Sequence, residues 1–384
     1  MRTLTLPHYM FVVACIVPAA GVGQSLFSYD VQPYTWLIDT RAEAMGRANM
    51  ALPGDLRALS TNPAGLAELE GIELYHRQAA RYYFFETSTF THVAVGCRLT
   101  ERLAFGFRYD QDLASSEELD LSDPIGGPVE QPSPQGVLGF AAAYRFLPGL
   151  SFGASIANLH PNDERIATPH LDVSLAKVVA GLRTGRVRST FRAAAGLENV
   201  FSAAVDRQHD LGRGFVLYER YDLPVIARIG ASANWAFHHG WVHDSLPSIA
   251  FTVQAQFDDD LRTPLHTGLR AGVEVEALGL IAIRLGWYRL SIDDQNWPQT
   301  QKSTLSDLTY GLGLRLPLGT MFGAKCPFSA SFDLCSMPQP AFTLDELDPH
   351  TEEPWERFQS WGLRLGYGIG ALLKQAVPAE PSSP

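Results

Sequence analysis

From about residue 70 onward the dominant signal is an alternation of large apolar residues with small or charged ones. Leu103-Ala104-Phe105-Gly106-Phe107-Arg108-Tyr109 places a large apolar residue at every odd position, and Ile281-Ala282-Ile283-Arg284-Leu285-Gly286-Trp287 does the same. Tyr310 to Leu316 and Trp361 to Tyr367 repeat the pattern. An extended strand sends successive side chains to opposite faces, so each segment has one apolar face and one face of Gly, Ala, Arg and Glu. A soluble sandwich also alternates, but its exposed face is crowded with Lys, Thr and Glu. Here the second face is mostly Gly and Ala with a single Arg, and an aromatic residue often closes the apolar one. That combination predicts a barrel with lipid outside and a filled or wet lumen inside.

The period marks strands near 71–80, 88–99, 102–111, 135–146, 149–158, 170–182, 187–199, 222–236, 246–257, 265–276, 279–289, 306–316, 325–335 and 356–370. Each is near the ~9–11 residues that cross a tilted barrel wall. Tight connections, as at Thr100-Glu101-Arg102, Leu147-Pro148-Gly149, Arg183 to Arg186 and Ala277-Leu278-Gly279, alternate with long polar ones at 111–134, 159–169, 200–221, 290–305 and 336–355. Bacterial barrels show this asymmetry, with short periplasmic turns and long outer loops. The expected fold is therefore all-β: a transmembrane antiparallel β-barrel of about fourteen strands, over residues 70–371.

Composition narrows the picture from other directions. The 384 residues are 46% hydrophobic and 18% charged, with a net charge of −11, which argues against nucleic acid as a partner. Four cysteines, at 15, 97, 326 and 335, show no metal-ligand spacing. Cys326 and Cys335 lie nine positions apart on one predicted strand and face opposite sides, so no bond between them is expected. At the start, Arg2 precedes the apolar run Met10 to Val17, and small residues follow from Pro18 to Gly23. That is the form of a secretory signal peptide over residues 1–23, so export to the outer membrane is expected. Downstream there is no apolar run long enough for a spanning helix.

Residues 24–69 precede the barrel, and 39–69 break its period. Asp55 can cap a short helix carrying Leu56 and Leu59, and Asn62-Pro63 should end it, since a residue before proline avoids helical angles. Gly65 then suits a turn into the first strand. The stretch Ala44 to Leu66, with Met45-Gly46-Arg47-Ala48, Asp55-Leu56-Arg57-Ala58-Leu59 and Asn62-Pro63-Ala64-Gly65-Leu66, resembles the N-terminal motif of the PorV/PorQ outer-membrane protein family. That family is related to the FadL long-chain fatty-acid transporters, which have an Asn-Pro-Ala signature and a fourteen-stranded barrel with an N-terminal plug. Leu223 to Gly230, and Gly272 to Gly286 with Glu274 and Arg284, are also similar to the family. Departures from it include Gly54-Asp55 in place of an acidic pair, and a Pro/Ser-rich tail over 372–384.

The resemblance implies a short helical plug over 24–69, with Gly46, Asp55, Asn62, Pro63, Ala64 and Gly65 as the plug and gate motif. By parity, Arg98, Arg108, Arg192, Glu198, Arg228, Arg270, Glu274, Glu276, Arg284, Arg315 and Arg364 face the lumen, where they should pair with one another or hold the plug, because unpaired charge in a dry interior is costly. His238-His239 with His243-Asp244, and the acidic runs Asp258-Asp259-Asp260 and Glu117 to Asp123, read as solvated turns and loops rather than metal sites. Gly366-x-Gly368-x-Gly370 lacks the following helix that phosphate binding needs. No Ser–His–Asp set stands out, so neither an enzyme nor a cofactor is expected. The PorV likeness implies a role in protein secretion or surface attachment, with secreted cargo or secretion-system proteins as partners. The FadL kinship implies passive transport of a hydrophobic ligand. Outer-membrane lipid is a partner in either case.

Overall fold

A computed structural model describes residues 39–368, apart from 53, 84–85, 116–134, 161–163, 167–169, 202–203, 211–215, 223–224, 239–247, 262–265, 294–301, 317, 319–327 and 339–356. The expected signal peptide, residues 24–38, the C-terminal tail, the His239-His243-Asp244 group, the Glu117 to Asp123 run and Cys326 lie outside the described residues. Helix α1 (Thr40–Ala44) and two 3-10 helices (Leu56–Ser60 and Pro63–Glu68) precede the strands. These are β1 (Ile72–Tyr83), β2 (Glu86–Arg98), β3 (Leu103–Ser115), β4 (Gln135–Leu147), β5 (Leu150–His160), β6 (Glu164–Ile166), β7 (His170–Thr184), β8 (Val187–Glu198) and β9 (Ala204–Asp210). There follow β10 (Val216–Asp222), β11 (Ile226–Phe237), β12 (Ile249–Asp260), β13 (His266–Ala277), β14 (Ile281–Asp293), β15 (Lys302–Leu316), β16 (Phe328–Pro338) and β17 (Arg357–Tyr367).

All but β6, β9 and β10 close into one antiparallel barrel of fourteen strands, completed by β1 pairing with both β2 and β17. Each strand expected from the alternation is present, with boundaries shifted by a few residues. The loops at 159–169 and 200–221 prove not to be plain loops. They supply β6, β9 and β10, a separate three-stranded sheet whose short, mixed-charge strands carry no apolar period to betray them.

The alternation is realised residue by residue. On β14, Ile283 and Leu285 are 59% and 54% exposed, while Ala282 and Arg284 are buried. The same phase runs through Phe251, Val253 and Phe257 on β12 and through Leu312 and Leu314 on β15. Large apolar side chains on the outside and polar ones within is the inverse of a soluble protein, and it makes this a membrane-spanning barrel. Tyr144, Phe146 and Phe152 pack edge-on or tilted against one another near the β4–β5 turn, and Phe328 meets Tyr367 edge-on, the aromatic banding expected at a lipid–water boundary. Leu285→Arg should cost about 2–4 kcal/mol, as arginine does at the middle of a bilayer. Urea unfolding in lipid vesicles measures it, and a cost near zero would remove that face from hydrocarbon.

Asp258-Asp259-Asp260 is not a solvated loop: β12 continues through all three, and Asp258 is buried in the lumen. The period of two keeps it in phase with Gln254 and Gln256, and the register sets it opposite Arg228. Gly65 likewise lies within the second 3-10 helix rather than in a turn, because Pro63 starts that helix at its first position.

Candidate functional site

Fourteen strands enclose more space than inward side chains can fill, since barrel diameter grows with strand number. Residues 39–69 occupy that space. They have little regular structure, so most of their backbone N–H and C=O groups lack intrasegment partners, and a buried unpaired one is costly. The wall provides the partners. Thr40 N–H donates to the Tyr75 hydroxyl at 3.2 Å, and Gly46 N–H to Thr309 Oγ1 at 2.9 Å. Asn49 and Met50 N–H both donate to Gln256 Oε1, at 2.9 and 3.0 Å. Ala64 N–H donates to Ser174 Oγ at 2.9 Å, and Ser151 Oγ donates to the Ala64 carbonyl at 3.0 Å. The polar inner face thus supplies hydrogen bonds to the plug.

Apolar packing completes the seat. Leu56, Leu59, Leu66 and Leu69 are buried against Tyr75, Ala94, Ala104, Ala141 and Ala143 of β1–β4, each leucine contributing about 1.5–3 kcal/mol. Wall glycines make room for the segment. A Cβ on Gly106 would meet the Leu59 side chain at 2.7 Å, and one on Gly153 would meet the Ala64 nitrogen at 2.2 Å. The tightest approach is at Gly46, whose φ of +70° suits glycine, and whose nitrogen would lie 1.8 Å from a Cβ on Gly286.

Charge pairs lock the plug across the lumen. Asp39 caps α1, accepting from Ala42 N–H at 3.0 Å, but a five-residue helix is not stable by itself. Arg41 of α1 grips Glu274 on β13 with two bonds of 2.6 and 3.0 Å. Glu274 also receives Arg284 at 2.6 Å and Arg315 at 3.2 Å, and Arg315 pairs with Glu276. Arg284 reaches Asp333 at 2.7 Å, Asp333 reaches Arg57 at 3.0 Å, and Arg57 pairs with Asp55. Arg364 closes the series, 3.5 Å from Asp55 and 3.4 Å from Glu73. One network therefore runs from β13 through the plug to β1. Glu43, also on α1, pairs with Arg77 and accepts from Ser360 Oγ at 2.6 Å.

The electrostatics within the plug differ by position. Burial pushes the Asp39 and Glu43 carboxyls above their ordinary pKa. Burial acts the same way on Asp55, but the Arg57 and Arg364 guanidiniums outweigh it and hold that carboxyl low. Burial lowers the pKa of Arg47, which stacks 5.8 Å above the Tyr288 ring.

The parity residues all lie on the inner face, but they divide into groups. Glu274, Glu276, Arg284, Arg315 and Arg364 belong to the plug network. Arg228 pairs with Glu198 at 2.5 Å and lies 3.8 Å from Asp258, while Arg270 pairs with Asp258 at 2.7 Å and donates to the Arg47 carbonyl at 3.2 Å. Arg192 is 3.5 Å from Glu68 of the plug, and Arg98 donates to the Leu69 carbonyl at 3.1 Å. Arg108 does not reach the plug's charges; it lies 3.5 Å from Asp110, which pairs with His92.

The proposed gate residues are not gathered at one point. Gly46 lies on the β13–β14 wall, and Ala64 lies against β5 and β7. Asp55 and Asn62 line a common void, and the Asn62 side-chain amide donates to the Met50 carbonyl.

Arg41, Glu43, Arg57, Glu73, Arg77 and Asp333 escape the sequence reading. The outward residues of β1 include His76 and Gln78, and the inward face of β16 is rich in serine, so neither strand alternates strongly enough to flag Glu73, Arg77 or Asp333. The α1 charges look like a solvated turn of helix. Two small voids lie among the described residues, one of about 20 Å3 between Asp39, Arg41, Asp55, Arg57 and Asn62, and one of about 10 Å3 beside Thr61 and Asp172. Each has room for about one water.

No protein-family model matches the sequence, and no curated protein does. Among solved structures, the chain is similar to the CymD monoaromatic hydrocarbon channel at 12% identity, covering 86% of this chain and 97% of that one, with a TM-score of 0.41. A Pseudomonas aeruginosa FadL homologue is 10% identical over 86% and 98%, at 0.38. CdiB from Acinetobacter baumannii, at 8% identity over 78% of this chain and 60% of that one, also scores 0.38. Likeness at this level does not bear on function.

Proposed function

We propose that this protein is an outer-membrane conduit for hydrophobic small molecules, closed at rest by its own N-terminal segment. The observation that carries the reading is the stopper. A barrel too wide for side chains to fill is sealed by a separate stretch of chain, held by wall hydrogen bonds and ion pairs that can be broken without dismantling the wall. A purely structural barrel has no need of such width. The likeness to the FadL transporters in the Asn62-Pro63-Ala64 region agrees with this, and that region would serve as the hinge of the gate. The test is uptake into vesicles carrying the protein: a toluene-sized or long-chain apolar probe should enter faster than a sugar of similar mass. Equal rates, or no transport of either, would overturn the reading.

Asn62→Ala combined with Pro63→Ala should loosen the plug. Losing the Asn62 amide leaves the buried Met50 carbonyl unpaired, at about 1–3 kcal/mol, or roughly tenfold in the seated fraction of the plug. Permeability of reconstituted vesicles to small solutes should rise accordingly, and unchanged permeability would count against gating by these residues.

A second reading draws on the voids. The two voids described above are water-sized, and each is bordered by charged side chains. That favours a barrel acting through its rims, in secretion or surface attachment as the PorV likeness implies. Gentle detergent extraction separates the two: recovery with secreted cargo or secretion proteins supports the second, and recovery alone with lipid in the lumen supports the first.

A further inference from the structure

The rim at the short-turn end is uneven. β5 pairs with β7 only from Ala157↔His170 to Leu150↔Lys177, after which β5 enters its turn. Val178 N–H still reaches the Gly149 carbonyl at 2.7 Å. β7 nevertheless continues to Thr184, paired with β8 as far as Thr184↔Val187, and β8 pairs with β11 as far as Val187↔Phe237. Three strands therefore form an apron that projects beyond the β4–β5 turn. At ~3.3 Å per residue, its free margin is roughly 20 Å long. Along that margin no strand lies on the β5 side of Val179–Thr184 among the described residues.

The apron is exposed on both faces. Val179 and Leu182 are 58% and 60% exposed, Arg183, Arg186 and Arg188 are exposed, and a Cβ added at Gly181 would meet nothing. An open strand edge is not tolerated in hydrocarbon, since its N–H and C=O groups would go unpaired. The aromatic cluster of Tyr144, Phe146 and Phe152 lies beside the β4–β5 turn, and the pairs Phe191–Trp235 and Phe237–Phe251 lie on β8, β11 and β12, so the part of the apron on the water side is the free edge of β7 with its exposed Arg183. Its charge has one sign. On the projecting stretch from Val179 to Ser189 every charged residue is basic: Arg183, Arg186 and Arg188.

We infer that the Val179–Thr184 edge of β7 is a docking site for an extended, acidic segment of a partner protein, which adds to the apron as a further strand. Strand addition draws affinity from main-chain hydrogen bonds and selectivity from flanking side chains. Here the edge offers the main-chain groups, and the arginines select carboxylates. Anionic lipid headgroups could meet the same arginines, but they have no use for a peptide edge. The β7–β8 register shifts between Val178 and Ala180, where the pairing with β5 has ended. The inference does not depend on what crosses the lumen.

The test uses the full-length protein in detergent micelles and three fluorescent nonapeptides: an alternating Val/Glu peptide, its Lys-for-Glu counterpart, and the acidic peptide with alternate amides N-methylated on one edge. The acidic peptide should bind saturably, and at least about tenfold more tightly than either of the others. Arg183→Glu with Arg188→Glu should reverse the charge preference. Equal binding of the N-methylated peptide, or equal binding of the Lys peptide, would overturn the inference. So would indifference to the acidic peptide alongside binding to anionic-lipid vesicles, which would make the apron a lipid contact. The N-methyl comparison needs no variant and decides the matter even if the double substitution fails to assemble.

Discussion

Gly286→Ala should open the lumen without dismantling the wall. A Cβ at this position would lie 1.8 Å from the Gly46 nitrogen, 2.2 Å from the Met45 carbonyl carbon and 2.5 Å from Thr309 Oγ1. Two of these are plug backbone atoms, which cannot step aside as a flexible side chain does. The pairing of Gly286 with Gly272 and Thr309 uses main-chain groups that the methyl leaves in place. The strain therefore falls on the plug, which has to lift from β14 and give up the Gly46–Thr309 hydrogen bond. Overpacking of this kind costs about 3 kcal/mol, shifting the seated-to-unseated ratio roughly a hundredfold. Planar-bilayer conductance should rise, and residues 39–69 should become open to protease, while the protein still migrates faster unboiled than boiled. Gly181→Ala, where the added methyl meets nothing, should be silent. If Gly286→Ala conducts like the parent and protects the segment equally, residues 39–69 are not what closes the barrel.

Glu274→Gln should give the largest loss of stability. This one carboxylate serves Arg41, Arg284 and Arg315. Arg284 keeps Asp333 and Arg315 keeps Glu276, but the Arg41 ion pair with the wall is gone. Breaking a buried pair from one side strands a charge, at about 3–5 kcal/mol. Heat-modifiability on gels and urea unfolding in vesicles should both show the drop, with faster plug proteolysis. Adding Arg41→Met should recover part of it, because the stranded cation is then removed. A single substitution that unfolds at the parent's midpoint would mean that the network does not hold the plug.

Much of the wall was legible because its rule is local. A period of two in Ile281 to Trp287 identifies the lipid face, the lumen face and the inward Arg284 from seven consecutive letters. The same rule carried through β12 would have placed Asp258 inside. It was the run of three acids, which looks like a loop, that concealed the strand's continuation. The plug was legible as an interruption of the period and, at Asp55, as a helix cap, which Asp55 is: its carboxylate accepts from Arg57 N–H at 2.9 Å. Its ligands were not legible. Arg41 and Glu43 lie in five residues of helix with no apolar stripe, and their partners are Glu274 and Arg77.

The amino-acid order alone determined that this chain forms a barrel of about fourteen strands with its apolar side outward, because strand parity is set by neighbours two residues apart. Tertiary structure alone decided which charges meet, how completely the lumen is filled, and where β7 outruns β5. Those outcomes depend on register between strands far apart in the chain, where a shift of one residue exchanges the two faces of a strand and would break each of these pairings.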